Sequence, residues 1–228
     1  MENTVRLFST LALMGAIRNL SDRFEAATGT RIDPVFAPTV GLIERLGKGE
    51  AADVLIMTAE ALDDLAAKGA VAPDSCVRLA RSFVGIAVKA GAAHPDIATE
   101  DALRKTLLGA RSVAYSRIGA SGIFFGQLIE RLGIAPEVNA RALVIPSGLT
   151  AERLVTGEAD IAVQQLSELK LVSGVELVGP IPPHLQAPGL FSGGRVAASQ
   201  CAKQADALLN YLASPEAAPV LRESGLEP

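Results

Sequence analysis

Short apolar runs alternate along the chain with longer stretches in which apolar residues return every third or fourth position. Residues 5–8, 32–36 and 52–57 are too short and too uniformly apolar for surface helices, and they predict buried strands. Between them, residues 11–28 place Leu13, Ile17, Leu20 and Phe24 on one helical face, and Gly29 stands where a helix stops. Helices are also predicted over 40–47 and 59–68. The same rhythm continues with strands at 83–89, 112–115, 140–145, 161–164, 175–178 and 195–198. The accompanying helices fall at 100–107, 122–132, 150–156, 166–169, 204–212 and 215–223. Residues 180–188, with four prolines, read as a linker or extended crossing. This alternation predicts an α/β protein with mostly parallel sheets and helices on both faces. Ligands of such sheets bind at the carboxyl ends of the strands.

Those ends carry a second pattern. Ser9-Thr10, Pro38-Thr39, Ala120-Ser121-Gly122 and Pro146-Ser147-Gly148-Leu149-Thr150 all stand where a strand hands over to a helix. Ser and Thr favour helix N-caps for local reasons, so each alone is explained by capping. Four in succession also suit an anion site built from hydroxyls, unpaired backbone N–H groups and helix dipoles. Gln164-Gln165 ends an otherwise apolar strand, and its two amides point to opposite faces. Arg81 precedes a predicted strand, where it would clamp a carboxylate or simply stay at the surface. Tyr115 would serve as an acid or base, or as a packing aromatic. His94 and His184 lie in Pro-flanked loops.

Composition narrows the chemistry. A net charge of −4 with no basic run argues against nucleic acid. Two cysteines far apart, Cys76 and Cys201, and two histidines make no metal-binding spacing, so neither metal nor cofactor is expected. The expectation for the thiols is that they are reduced. No Gly-x-Ser-x-Gly elbow, phosphate-binding loop or dinucleotide fingerprint is present. Residues 1–8 lack the basic and apolar regions of a leader, and no apolar run spans a bilayer, which places the chain in the cytoplasm. Removal of a leader would place it in the periplasm.

On these residues the chain resembles the type II periplasmic binding proteins, and within them the molybdate-binding-protein-like group. Ser9-Thr10-Leu11-Ala12 is similar to the family's first anion loop, and Thr39 matches the second-loop hydroxyl. Residues 49–54, 157–163 and 214–217 are similar to its later signatures. The resemblance implies two α/β lobes, 1–81 with 187–228 and 82–186, with the ligand in a cleft between them. It implies a site lined by Ser9, Thr10, Thr39, Ser121, Gly122, Leu149, Thr150 and Gln165, with Arg81 as a further candidate. Molybdate binders usually carry Tyr where Gln165 stands. A branch similar to aconitate isomerase instead carries Tyr-Ser-x-x-x-Ser-Gly and Gln-Gln, as in Tyr115-Ser116…Ser121-Gly122 and Gln164-Gln165, which adds Ser116 to the site. The leading expectation is therefore a solute-binding-protein-like chain that takes a small oxyanion or polycarboxylate, with an ABC transporter as partner if exported. The alternative is a cytoplasmic isomerase of an unsaturated polycarboxylate, for which no base is named.

Overall fold

The computed structural model describes residues 3–228; Met1 and Glu2, part of the amino-terminal reading above, lie outside them. Two compact units account for the chain. One runs through Arg81 and resumes at Leu190, and the other is Ser82–Gly189. Gln186 explains why the return crossing stays with the second unit beyond residue 186. Its carboxamide accepts from the Val84 N–H (2.9 Å) and donates to the carbonyls of Val84 (3.0 Å) and Ile181 (2.6 Å).

The first unit holds β1 (Thr4–Ser9), α1 (Met14–Thr28), β2 (Arg31–Phe36), α2 (Thr39–Gly47), β3 (Val54–Thr58), α3 (Ala59–Ala67) and β4 (Val77–Ser82). The second holds β5 (Val84–Lys89), α4 (Glu100–Gly109), β6 (Val113–Ser116), α5 (Ala120–Arg131), α6 (Ala135–Asn139), β7 (Leu143–Ile145), α7 (Glu152–Val155), β8 (Ile161–Gln165), α8 (Leu166–Leu169) and β9 (Val175–Pro180). The chain then closes the first unit with β10 (Gly189–Arg195), α9 (Ala202–Leu212) and α10 (Ala218–Glu223).

Each unit is built on a five-stranded sheet, ordered β2-β1-β3-β10-β4 in one and β7-β6-β8-β5-β9 in the other. The central triplets are parallel: β1 with β2 and β3, and β6 with β7 and β8. The crossing strands run the other way, β10 against β3 and β5 against both β8 and β9. The sheets are thus mixed, and the two units repeat one topology that has no counterpart as a sequence repeat.

Strand alternation divides each unit's core between the two faces of its sheet. In the first unit Val5, Leu7, Val54 and Ile56 pack with α1, α9 and α10, while Phe8, Leu55 and Met57 face α2 and α3. In the second, Val113, Tyr115, Ile161 and Val163 pack with Phe125 and Leu128 of α5. The opposite face is small, with Ala87, Ala114 and Ala162 against Ala151, Leu154 and Leu169, and that flatness admits the short α7 and α8.

Several elements differ from expectation: β4 and α6 were not foreseen, and the strand expected over 140–145 shortens to β7. A strand expected at 195–198 lies earlier, as β10, whose Gly193 and Gly194 disguise it. A Cβ on Gly193 would stand 2.6 Å from Leu209 Cδ2, and one on Gly194 would stand 2.6 Å from Val71 Cγ1, so close helix and loop packing selects glycine there. The helix expected from residue 11 begins as a 3₁₀ turn at Leu11–Leu13 and becomes α-helical at Met14. The helix expected over 150–156 shrinks to Glu152–Val155. Cys76 and Cys201 are both free thiols. Among the described residues no helix is long and apolar enough to cross a membrane.

Candidate functional site

In both units the parallel triplets bring three strand carboxyl ends side by side, at Ser9, Phe36 and Thr58 and at Ser116, Ile145 and Gln165. In the first unit Ser9 is fully buried and its hydroxyl donates to the Thr10 carbonyl at 3.1 Å. Thr10 caps the 3₁₀ turn by position, with no hydrogen bond from its side chain. Thr39 is the first helical residue of α2 rather than its cap, and its hydroxyl accepts from the Thr58 N–H at 3.4 Å. Arg81 lies elsewhere in its unit's economy of charge. Its Nε donates to Glu227 Oε2 at 2.6 Å and the two residues pair antiparallel through their backbones, which accounts for its guanidinium.

The second unit's strand ends are more specialised. Ser116 closes β6, is 2% exposed, and its Oγ has no hydrogen-bond partner. Such an orphan is uncommon, because burying an unpaired hydroxyl costs free energy. It lies against the start of α5, a twelve-residue helix capped by Gly119 with no side-chain cap bond. A Cβ on Gly119 would stand 2.5 Å from Ser116 Oγ and 3.9 Å from Ser121 Oγ, so both hydroxyls converge on that glycine. A Cβ on Gly122 would stand 1.8 Å from the Ser116 carbonyl oxygen, so the first turn of α5 lies directly on the strand end. Hydroxyls, unpaired N–H groups and the positive end of the dipole meet here, the donor set that an oxyanion requires.

Gln164 and Gln165 divide between the two faces of β8, as alternation demands. Gln164 Oε1 accepts from the Thr150 N–H (2.8 Å) and the Thr150 hydroxyl (3.0 Å), and its Nε2 donates to the Gly148 carbonyl (2.9 Å). Thr150 therefore spends both donors inside the protein and shapes the 148–150 loop, with Leu149 half-buried at its middle. Gly148 has a φ of +100°, which a side chain would resist. Gln164→Leu would strand the Thr150 N–H and the Gly148 carbonyl, and it is expected to cost about 3 kcal/mol in urea unfolding. Gln165, 4% exposed, keeps a buried Oε1 with no partner.

Two residues lie outside the site expected from the sequence. Arg117 directly follows Ser116 and holds the Ile145 carbonyl through its backbone N–H (2.8 Å). Its exposed guanidinium forms no hydrogen bond or ion pair among the described residues. Its place between Ser116 and Gly119 was the available signal. Glu168 is the other. It is 6% exposed, it receives hydrogen bonds from the Gln165 backbone and the Gln164 side chain, and burial outweighs both to push its carboxyl up to about 8. Its spacing from Gln165, three residues on, is that of a capping box. Tyr115 is a packing aromatic. Its hydroxyl donates to Asn139 Oδ1 at 2.7 Å, its ring packs on Phe125, and burial raises its pKa, with Arg117 pulling the other way. His94 pairs with Glu176 and His184 sits in a 3₁₀ turn away from these strand ends. No cluster of His, Cys, Asp and Glu able to hold a metal occurs among the described residues.

Comparison with known proteins adds the following. A family profile described as bacterial extracellular solute-binding protein matches residues 5–227. An aconitate isomerase from a Pseudomonas species is 42% identical, over 99% of this chain and 88% of that protein. Among solved structures, the periplasmic molybdate-binding protein of Azotobacter vinelandii superposes with a TM-score of 0.82 at 18% identity, covering 97% of this chain and 98% of that one. The sulfate-binding protein SubI of Mycobacterium tuberculosis gives 0.77 at 17% identity, covering 99% and 87%.

Proposed function

The chain belongs to the bacterial extracellular solute-binding protein family, with its type II periplasmic-binding-protein fold, and from that premise we propose that it binds an unsaturated tricarboxylate and isomerises it. The observation that carries the anion site is the orphaned, buried Ser116 hydroxyl at the glycine-capped start of α5. The relative at 42% identity supports the reaction class.

In this reading Ser116, Ser121 and the first N–H groups of α5 receive one carboxylate. Arg117 receives another as a full charge, which a single tetrahedral oxyanion would not need. Gln164 and Thr150 hold the 148–150 loop in place, with Leu149 and Gly122 shaping the walls. Isomerisation removes a proton from a carbon next to a carboxylate and returns one at the far end of the allylic system, so the double bond shifts with no net change in atoms. Charge developing on the carboxylate oxygens is met by donors that are already oriented, which is how such a site lowers the barrier. An enzyme of this kind needs no transporter, whereas an exported binder would deliver its ligand to an ABC transporter.

Proton NMR of trans-aconitate incubated with the protein tests the reaction: signals of the cis isomer are expected to grow in. Ser116→Ala is expected to lower kcat/KM by about a hundredfold, the scale of losing an oriented donor. Arg117→Gln is expected to raise KM about tenfold. A protein that leaves trans-aconitate unchanged but is stabilised by molybdate or sulfate is a binder only, and one stabilised by no anion has no such site.

A further inference from the structure

The carboxamide of Gln164 uses every hydrogen-bonding position it has. Its oxygen accepts twice from Thr150, and its nitrogen serves the Gly148 carbonyl and the Glu168 carboxyl. In the sheet β6 lies between β7 and β8, so these bonds reach from the end of β8 past the end of β6 to the loop that follows β7. Ala114 pairs with Ala162 and both belong to the same face cluster, so two residues further on Ser116 and Gln164 share that face. Glu168 is thus joined, through one amide, to the loop that follows β7, the strand whose Ile145 lies opposite Ser116.

The surroundings of Glu168 contain little charge. α8 packs against β5, β8 and β9. β8 carries no ionisable residue. Lys89 of β5 reaches the Val155 carbonyl, and Glu176 of β9 is held by His94 and the Gly91 N–H. Lys170, next to α8, has a partner of its own. Buried without a counter-ion, Glu168 strongly favours its neutral form, and a neutral carboxyl still accepts from Gln164 and Gln165. Ionisation would put a negative charge beneath a site meant for anions, in surroundings that screen it poorly.

We propose that Glu168 is a positioning residue for the anion site: through Gln164 it braces the 148–150 loop, and it must be neutral for the anion to bind tightly. The inference rests on the anion-binding reading above. Binding an anion and binding a proton at Glu168 are then linked, each favouring the other.

Isothermal titration with trans-aconitate from pH 6.5 to 9.5 tests it, since the ligand's own carboxyls stay ionised throughout. Wild-type affinity is expected to fall about tenfold across that range, the size expected for unit charges roughly 10 Å apart at an effective dielectric near 20. Glu168→Gln keeps the acceptor, the cap and the shape, and its affinity is expected to be flat. A flat wild-type profile, or a Glu168→Gln profile with the wild-type slope, overturns the proposal. A ligand-free arm separates this failure from that of the parent reading. Hydrogen exchange at the Thr150 amide is expected to lose about tenfold protection in Glu168→Ala and to keep it in Glu168→Gln. If trans-aconitate binds at no pH, the parent reading fails, and unchanged Thr150 protection in Glu168→Ala then overturns the brace as well.

Discussion

Gly122→Ala is expected to remove anion binding and to lower the melting temperature by about 10 °C, the largest single effect this structure implies. The added methyl would stand 1.8 Å from the Ser116 carbonyl oxygen and 2.6 Å from its hydroxyl. Neither is the free end of a flexible side chain. The carbonyl is main chain at the end of β6, and the hydroxyl belongs to a residue 2% exposed. Relief requires α5 to lift off the strand end. Overpacking of this kind costs about 3 kcal/mol, and each kcal/mol lowers the midpoint by a few degrees in a protein of this size. Lifting the helix also carries its first N–H groups away from Ser116, so binding is lost with stability. Gly126 is the internal control, in the same helix with nothing within 4 Å of its Cβ position. Gly126→Ala is expected to stabilise by about 1 kcal/mol through helix propensity alone. Thermal melts of the two variants should therefore shift in opposite directions. Equal shifts would mean that the close approach of α5 to β6 is wrong.

The second large effect is a dependence of stability on pH centred on Glu168. In the unfolded chain its carboxyl titrates near the ordinary value of 4.5, and in the folded protein burial raises it to about 8. Between these values the native state holds a proton that the unfolded state has released, so stability falls as pH rises through that window. The contribution is fully present below about 4.5 and is gone above about 8. The interval is worth about 5 kcal/mol at most. Glu158 and Glu176 act with the opposite sign. Both are held below the ordinary value, Glu158 chiefly by the Thr156 hydroxyl and Glu176 chiefly by His94, so what they contribute is lost on the acid side. Urea unfolding of the wild type and Glu168→Gln at pH 5, 7 and 9 separates these terms. The variant is expected to match the wild type at pH 5 and to exceed it at pH 9. Parallel curves would show that Glu168 ionises normally.

The strand ends illustrate how a sequence pattern can single out residues without showing what they bond to. Thr150 stood out as a hydroxyl at a strand-to-helix junction, yet its hydroxyl and N–H both serve Gln164, and α7 is a single turn starting two residues later. Arg81 stood out as a cation at a boundary, and its partner proved to be Glu227, 146 residues away in sequence. Arg117 and Glu168 looked ordinary in the sequence. One gains interest from having no partner beside a buried hydroxyl, the other from having no counter-ion in the core. Each of these distinctions depends on which groups meet, and spacing along the chain carries no record of that.

Local chemistry was enough for the alternation of strands and helices, the glycine stops such as Gly29, and the clustering of hydroxyls at strand ends. These follow from period, backbone conformation and capping, which act over a few residues. The direction of β5 and β10, the repetition of one sheet order in both units, and the place of β10 inside a glycine-rich stretch came from the folded chain. So did the orphaned Ser116 hydroxyl and the raised Glu168 carboxyl. Burial and pairing are properties of neighbours brought together by packing, and it is packing that leaves a serine hydroxyl without a partner and a glutamate without a counter-ion.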